Sequence, residues 1–158
     1  MENALSRKVE DYLEAIFNII KEKGYARTRD MAYLLEVKPP SVVEMIKKLD
    51  ERGFVLYRKY EGVTLTPEGE KIGRLVKGRH DTIKAFLEII DVPERIADKD
   101  ACIIEHELYP ETIGQIKNLV EFVKSAPDHP EWIEHFKIFC ETGKHPCEEK
   151  NHKKRKKF

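Results

Sequence analysis

Leu5, Val9, Tyr12, Leu13, Ile16, Ile19 and Ile20 recur at intervals of three and four, which predicts an amphipathic helix from Leu5 to Lys23 closed by Gly24. A short helix over Arg29 to Leu35 follows, carrying Met31, Leu34 and Leu35, with Thr28 as its cap. Pro39-Pro40-Ser41 opens a third helix that runs to Arg52, turning Val42, Met45, Ile46 and Leu49 inward. Gly53 stops it, and Phe54-Val55-Leu56-Tyr57-Arg58 and Val63-Thr64-Leu65 read as two strands joined by Lys59-Tyr60-Glu61-Gly62. Thr66-Pro67, a cap and a first-turn proline, starts a long helix through Ile72, Leu75, Val76, Ile83, Phe86, Leu87 and Ile90 that is expected to bridge two domains. The rest reads as helix alone. Pro93 begins a short one, the segment around Cys102 forms another, and Ile113, Ile116, Leu119, Val120 and Val123 give a third a broad apolar stripe. A loop with Pro127, His129 and Pro130 leads to a last helix bearing Trp132, Ile133, Phe136 and Phe139. A stripe on so small a helical unit needs a partner surface, for which a second copy of the chain is the simplest supplier.

Composition narrows the class. With 158 residues, 41% of them hydrophobic, the chain can bury a core in one or two small domains. No apolar run approaches the roughly 18 residues of a membrane span, and Met1-Glu2-Asn3-Ala4 lacks the layout of a signal peptide, so a cytoplasmic protein with no membrane partner is expected. Three widely spread cysteines make no disulfide framework and are read as thiols, buried or ligating. Net charge is zero but unevenly spread. Residues 1–78 carry 15 Lys and Arg against 13 Asp and Glu, residues 79–152 carry 9 against 16, and 153–158 add 5 basic residues.

Three helices followed by a hairpin is the order of a winged helix-turn-helix, whose third helix enters the major groove while the hairpin lies along the backbone. The predicted reading helix starts near Lys38, with Pro40 in its first turn, and would expose Ser41, Glu44, Lys47 and Lys48. Arg27, Lys59 and Tyr60 are candidates to hold phosphates. The alternative is an ordinary helical module with solvated lysines. The terminal run Lys153-Lys154-Arg155-Lys156-Lys157 suits either phosphate contact or a solubilising end.

Cys102, Glu105 and His106 supply a sulfur, a carboxylate and an imidazole at i, i+3 and i+4, one face of a helix, and so suggest a transition-metal site. Three ligands from one turn seldom complete a site. Asp11 and Glu14 pair at i, i+3 on the edge of the first helix, and His80 stands within the apolar stripe of the bridging helix. Taken singly these are an ordinary solvated pair and a core histidine. A second group, His129, His135, Cys140, His145, Cys147 and His152, crowds the C-terminal stretch. Its tightest spacing, Cys140-x4-His145-x-Cys147, is a candidate zinc staple, although Cys140 also fits the apolar face begun by Trp132 and Phe136.

Asp11-Tyr12-Leu13-Glu14, Lys23-Gly24-Tyr25-Ala26-Arg27, Pro40-Ser41-Val42, Lys48-Leu49-Asp50, Leu65-Thr66, Gly69, Arg79-His80 and Glu105-His106 resemble, in order and spacing over residues 5–125, the DtxR/MntR family of metal-dependent transcriptional repressors. The resemblance implies a mainly α fold with a small β-hairpin wing: a winged helix-turn-helix DNA-binding domain over 1–72, a helical metal-binding and dimerisation domain over 73–141, and a Cys/His-containing, basic tail over 142–158. It also implies that Asp11, Glu14, His80, Cys102, Glu105 and His106 hold a divalent ion, and that ion binding favours a homodimer able to hold a palindromic operator. The manganese-sensing branch has a glutamate where Cys102 stands, and the iron-sensing branch has methionine in place of Asp11; this chain mixes the two, on the short architecture of the manganese type. Three carboxylates suit manganese, whereas a thiolate raises affinity for iron, zinc and cobalt, so Fe2+ or Mn2+ is expected, with Zn2+ and Co2+ as alternatives. Replacement of a bridging glutamate by Cys102 is compatible with one ion per chain. Two rivals stand beside this reading, a metal-independent winged-helix regulator and a metalloenzyme, the latter without any general-base or phosphate-loop motif.

Overall fold

The computed structural model describes residues 5–128 and 130–147. The expectations placed on Met1 to Ala4, His129, His152 and the basic run 153–157 lie outside the described residues. The chain divides into two compact units, Met1–His80 and Asp81–Phe158.

In the first unit, α1 (Arg7–Lys23), α2 (Thr28–Leu34) and α3 (Pro39–Glu51) precede β1 (Val55–Arg58) and β2 (Gly62–Leu65), and α4 (Pro67–Ile89) begins. The apolar rhythm of α1 is realised as a buried face of Val9, Tyr12, Leu13, Ile16 and Ile19, and Gly24, at φ 82°, ends the helix in the left-handed region. That face packs with Ala26, Met31, Ala32, Val42, Ile46, Leu49, Val55 and Val63 into one core. The strands pair antiparallel with Val55 opposite Leu65 and Arg58 opposite Gly62. Ala26 and Val63 exchange backbone hydrogen bonds of 3.0 and 2.8 Å, fastening the segment before α2 to the hairpin.

Thr28 is the first residue of α2 rather than its cap. The cap position falls on Arg27, whose backbone N–H donates to Asp30 Oδ2 at 3.3 Å; the acid three residues on reaches back where the threonine was expected to reach forward. Between α2 and α3 the turn passes through Glu36 at φ 54°, a left-handed value for a residue with a side chain. Thr66 caps α4 as expected: its hydroxyl accepts from Gly69 N–H at 3.2 Å and lies 2.7 Å from the Gly53 carbonyl oxygen and 3.1 Å from that of Phe54. Gly69 is buried, and a Cβ there would stand 1.9 Å from the Phe54 carbonyl oxygen, so α4 meets the root of the hairpin at a distance only glycine allows.

The second unit contains α5 (Glu94–Ile104), α6 (Pro110–Ser125) and α7 (Glu131–Thr142) after the end of α4. The two short helices expected from Pro93 and around Cys102 are one helix, α5, because neither glycine nor proline interrupts Glu94 to Ile104 and Ala97 and Ala101 form its buried edge at i, i+4. Lys84 of α4 ties down α5 through Glu94 (3.2 Å) and Asp98 (3.4 Å). Val120 of α6 and Ile133 of α7 are buried, whereas Leu119 and Phe122 of α6 are exposed. Among the described residues no helix is long and apolar enough to cross a membrane.

Candidate metal centre and DNA-binding face

Burial of Val42, Ile46 and Leu49 fixes the rotation of α3 about its axis, and the opposite side presents Pro40, Ser41, Glu44, Lys47 and Lys48 to solvent. Lys38, at the N-cap position of α3, is also exposed. Glu44 and Lys48 form an i, i+4 ion pair of 2.8 Å. The hydrogen bond from Lys48 and its charge hold the Glu44 carboxyl below the usual range, and the same contact raises the Lys48 ammonium.

Lys59 and Tyr60 form the hairpin tip, with the lysine Nζ 5.5 Å from the ring centroid and Tyr60 91% exposed. Arg27 is exposed and stacks over Tyr25 at 5.2 Å. Asp50 Oδ1 accepts from the Tyr57 N–H at 3.3 Å, so the end of α3 orients β1 directly. All nine expected DNA contacts are therefore on the solvent side of this unit. Two side chains that sequence reading did not single out are also solvent-facing on this unit: Tyr33, 88% exposed on α2, and Arg58, paired with Glu61 across the hairpin turn at 3.0 Å. Both were legible in part: Tyr33 is two residues from buried Met31 and so on the other side of α2, and Arg58 precedes the basic tip.

The expected metal ligands fall on defined elements. Asp11 and Glu14 are half-buried on α1, flanking the buried pair Tyr12 and Leu13, and His80 is 5% exposed on α4. Beside His80, Arg79 pairs with Glu10 of α1 at 3.6 Å. In the second unit only Cys102 belongs to α5 proper; Glu105 is its C-cap and His106 lies in the following turn. Cys102 is exposed. Glu105 is 1% exposed and the His106 side chain 3%, with Nε2 of the imidazole 3.2 Å from Oε1 of the carboxylate. Removing a carboxylate from water is costly unless it is paired, hydrogen-bonded or metal-bound. A buried carboxylate against a buried imidazole, with further carboxylates, a histidine and a thiol in the expected set, is donor chemistry that fits a divalent first-row ion.

The C-terminal cluster differs in membership from its expected form. His135, His145 and Cys147 offer ligand atoms that all lie within 4.8 Å of one another. Cys140 is exposed; five residues beyond His135, it lies about 140° around α7 from that histidine. His135 was visible in the sequence as one of several histidines, but only the reversal of the chain after α7 selects it.

Residues 4–63 match the family described as iron dependent repressor, N-terminal DNA binding domain, and residues 66–134 match iron dependent repressor, metal binding and dimerisation domain. The chain is 43% identical over 120 residues to the HTH-type transcriptional regulator MntR of Lysinibacillus sphaericus, a match covering 76% of this chain and 86% of that protein. Against the regulator of the same name from Bacillus subtilis the identity is 44% over 114 residues, covering 72% and 80%. Among solved structures it is similar to T. acidophilum IdeR, with 30% identity and a TM-score of 0.64 over 70% of this chain and 52% of the other.

Proposed function

The chain belongs to the iron-dependent repressor family, and on that premise we propose that it represses transcription as a homodimer on a palindromic operator when loaded with ferrous or manganous ion, thereby controlling metal homeostasis in the cytoplasm. It is a metal-dependent transcriptional regulator with a DNA-binding and a dimerisation domain. Neither an enzyme nor a metal-independent regulator accords with that family. The observation that carries the reading is the pairing of two features in one chain: an exposed polar face on α3 beside a wing, and a buried Glu105 and His106 3.2 Å apart in the unit that matches the metal-binding domain.

Asp11, Glu14, His80, Cys102, Glu105 and His106 are the proposed ligands, read from their positions in the family pattern and from their donor types. A bound divalent cation would supply positive charge that offsets the negative charge of the carboxylates holding it. Asp11 and Glu14 lie in the segment that matches the DNA-binding domain; His80, Cys102, Glu105 and His106 lie in the segment that matches the metal-binding and dimerisation domain. Dependence of operator affinity on bound metal is thermodynamic linkage between ion and operator. Such coupling is typically about 1–3 kcal/mol, roughly 5- to 150-fold in operator affinity. On the DNA side, Lys38, Lys47, Arg27 and Lys59 neutralise phosphates, and Ser41 and Glu44 face base edges. A two-fold dimer presents two α3 helices to half-sites about one helical turn apart.

The test begins with selection of duplexes from a random library by the full chain in Mn2+. Fluorescence anisotropy on the selected duplex then compares Mn2+, Fe2+ under anaerobic conditions, and chelator. Operator affinity should fall at least roughly five-fold in chelator. Equal affinity in all three conditions would sink the metal dependence.

A further inference from the structure

The geometry points to a second metal site, in which His135, His145 and Cys147 bind a zinc-class ion independently of the regulatory donors. The scaffold is local and built from capping contacts. Gly143, at φ 70°, ends α7 in the left-handed region, and its N–H reaches Phe139 O at 2.8 Å. The Thr142 hydroxyl donates to Ile138 O at 2.7 Å and accepts from Lys144 N–H at 3.2 Å, folding the chain back beside the helix it has just left. This return brings Cys147 Sγ to 3.7 Å from His135 Nδ1. The Cys147 N–H donates to His145 Nδ1 at 3.2 Å, and the two imidazoles meet edge to face with centroids 5.8 Å apart.

The three ligand atoms lie within 4.8 Å of one another, and the Sγ–Nδ1 separation of 3.7 Å is close to that of two donors on one ion. Zinc–sulfur and zinc–nitrogen bonds of about 2.3 and 2.0 Å at a tetrahedral angle place sulfur and nitrogen about 3.5 Å apart. On the far side of His135, Nε2 lies 3.7 Å from Glu131 Oε1, one helical turn earlier. Closing that gap to hydrogen-bond length would give the carboxylate–histidine arrangement that orients a ligating ring. The regulatory set is rich in carboxylates and suits manganese or iron; one thiolate and two imidazoles select zinc or cobalt and disfavour manganese. A fourth position is left for water or an exogenous ligand.

Cobalt reports the site through its thiolate-to-metal charge-transfer band. The full chain carrying Cys102→Ser and Cys140→Ser keeps Cys147 as its remaining thiol. Anaerobic titration of this variant with Co2+ should develop the near-ultraviolet band together with the visible bands of a tetrahedral ion, and excess Mn2+ should leave them in place. Adding His135→Ala, His145→Ala or Cys147→Ser should abolish them, whether or not operator binding responds to metal. Absence of the band in the single-thiol variant overturns the inference. So does a band unchanged by His135→Ala, or one displaced by Mn2+.

Discussion

Gly69→Ala tests the close approach of α4 to the hairpin root. The added methyl would stand 1.9 Å from the Phe54 carbonyl oxygen, 2.9 Å from its carbon and 3.2 Å from Leu65 Cδ2. Carbon and a carbonyl oxygen settle at about 3.3 Å or more, so helix and hairpin must separate by about 1.4 Å. The Phe54 oxygen is not free to yield, since it accepts from the Thr66 backbone N–H at 3.1 Å and lies 3.1 Å from the hydroxyl that caps α4. Overpacking of this kind costs about 1–3 kcal/mol, and a weakened cap adds about 1 kcal/mol. Alanine's helix propensity returns about 1 kcal/mol, leaving a net loss of about 1–3 kcal/mol. Gly78, on the same helix, has nothing within 4 Å of its would-be Cβ, so Gly78→Ala should instead stabilise by up to about 1 kcal/mol. Urea denaturation followed by far-ultraviolet circular dichroism compares the two variants in otherwise identical protein. Opposite signs are expected. If Gly69→Ala matched or exceeded the wild type, the close approach would not be a constraint and the argument would fail.

Glu105→Gln should weaken Mn2+ binding by roughly ten-fold or more and lower operator affinity at fixed Mn2+, measured by calorimetry and anisotropy; unchanged metal affinity would remove Glu105 from the site. Lys47→Ala should weaken binding evenly across DNA sequences and reduce the slope of log K against log salt by about 1, and an unchanged slope would show that Lys47 contacts no phosphate. Phe122→Glu, placing a charge on the exposed side of α6, should shift the protein toward monomer in sedimentation velocity at micromolar concentration; a persistent dimer would move the interface elsewhere. Burial opposes ionisation of Asp30, but hydrogen bonds from Lys23 and the Arg27 backbone, with the Lys23 charge, outweigh it and lower its pKa. The ionised carboxylate therefore contributes stability above the ordinary Asp pKa of about 3.9, lost as pH falls through the lowered value. The stability gap between wild type and Asp30→Asn should be level from about pH 7 to 5 and close below about pH 4, and a gap that widens in acid would contradict the assignment.

What the sequence revealed, and what it hid, follow from the range of the interactions concerned. The first three helices and the hairpin were legible because Val9, Leu13, Ile16, Val42, Ile46 and Leu49 repeat at helical spacing, and Gly24, Pro39 and Thr66 mark ends by local backbone chemistry. The continuity of α5 was not legible, because its buried edge is two alanines, which hydrophobic periodicity weights little, and Asp98-Lys99-Asp100 interrupts the pattern. Spacing alone grouped Cys102, Glu105 and His106 on one face, but it could not show that the thiol is exposed while the carboxylate and imidazole are buried, since burial depends on packing from distant residues. The choice of His135 over Cys140 likewise depends on the reversal at Gly143, which no ligand-spacing rule encodes.

Glu36 holds the turn between α2 and α3 at φ 54°, a conformation that costs a residue with a side chain about 1–2 kcal/mol relative to glycine. Both glutamate codons lie one base change from a glycine codon. The loop that sets the reading helix thus keeps a store of stability a single mutational step away, reachable without altering any core contact or any side chain proposed to touch DNA or metal.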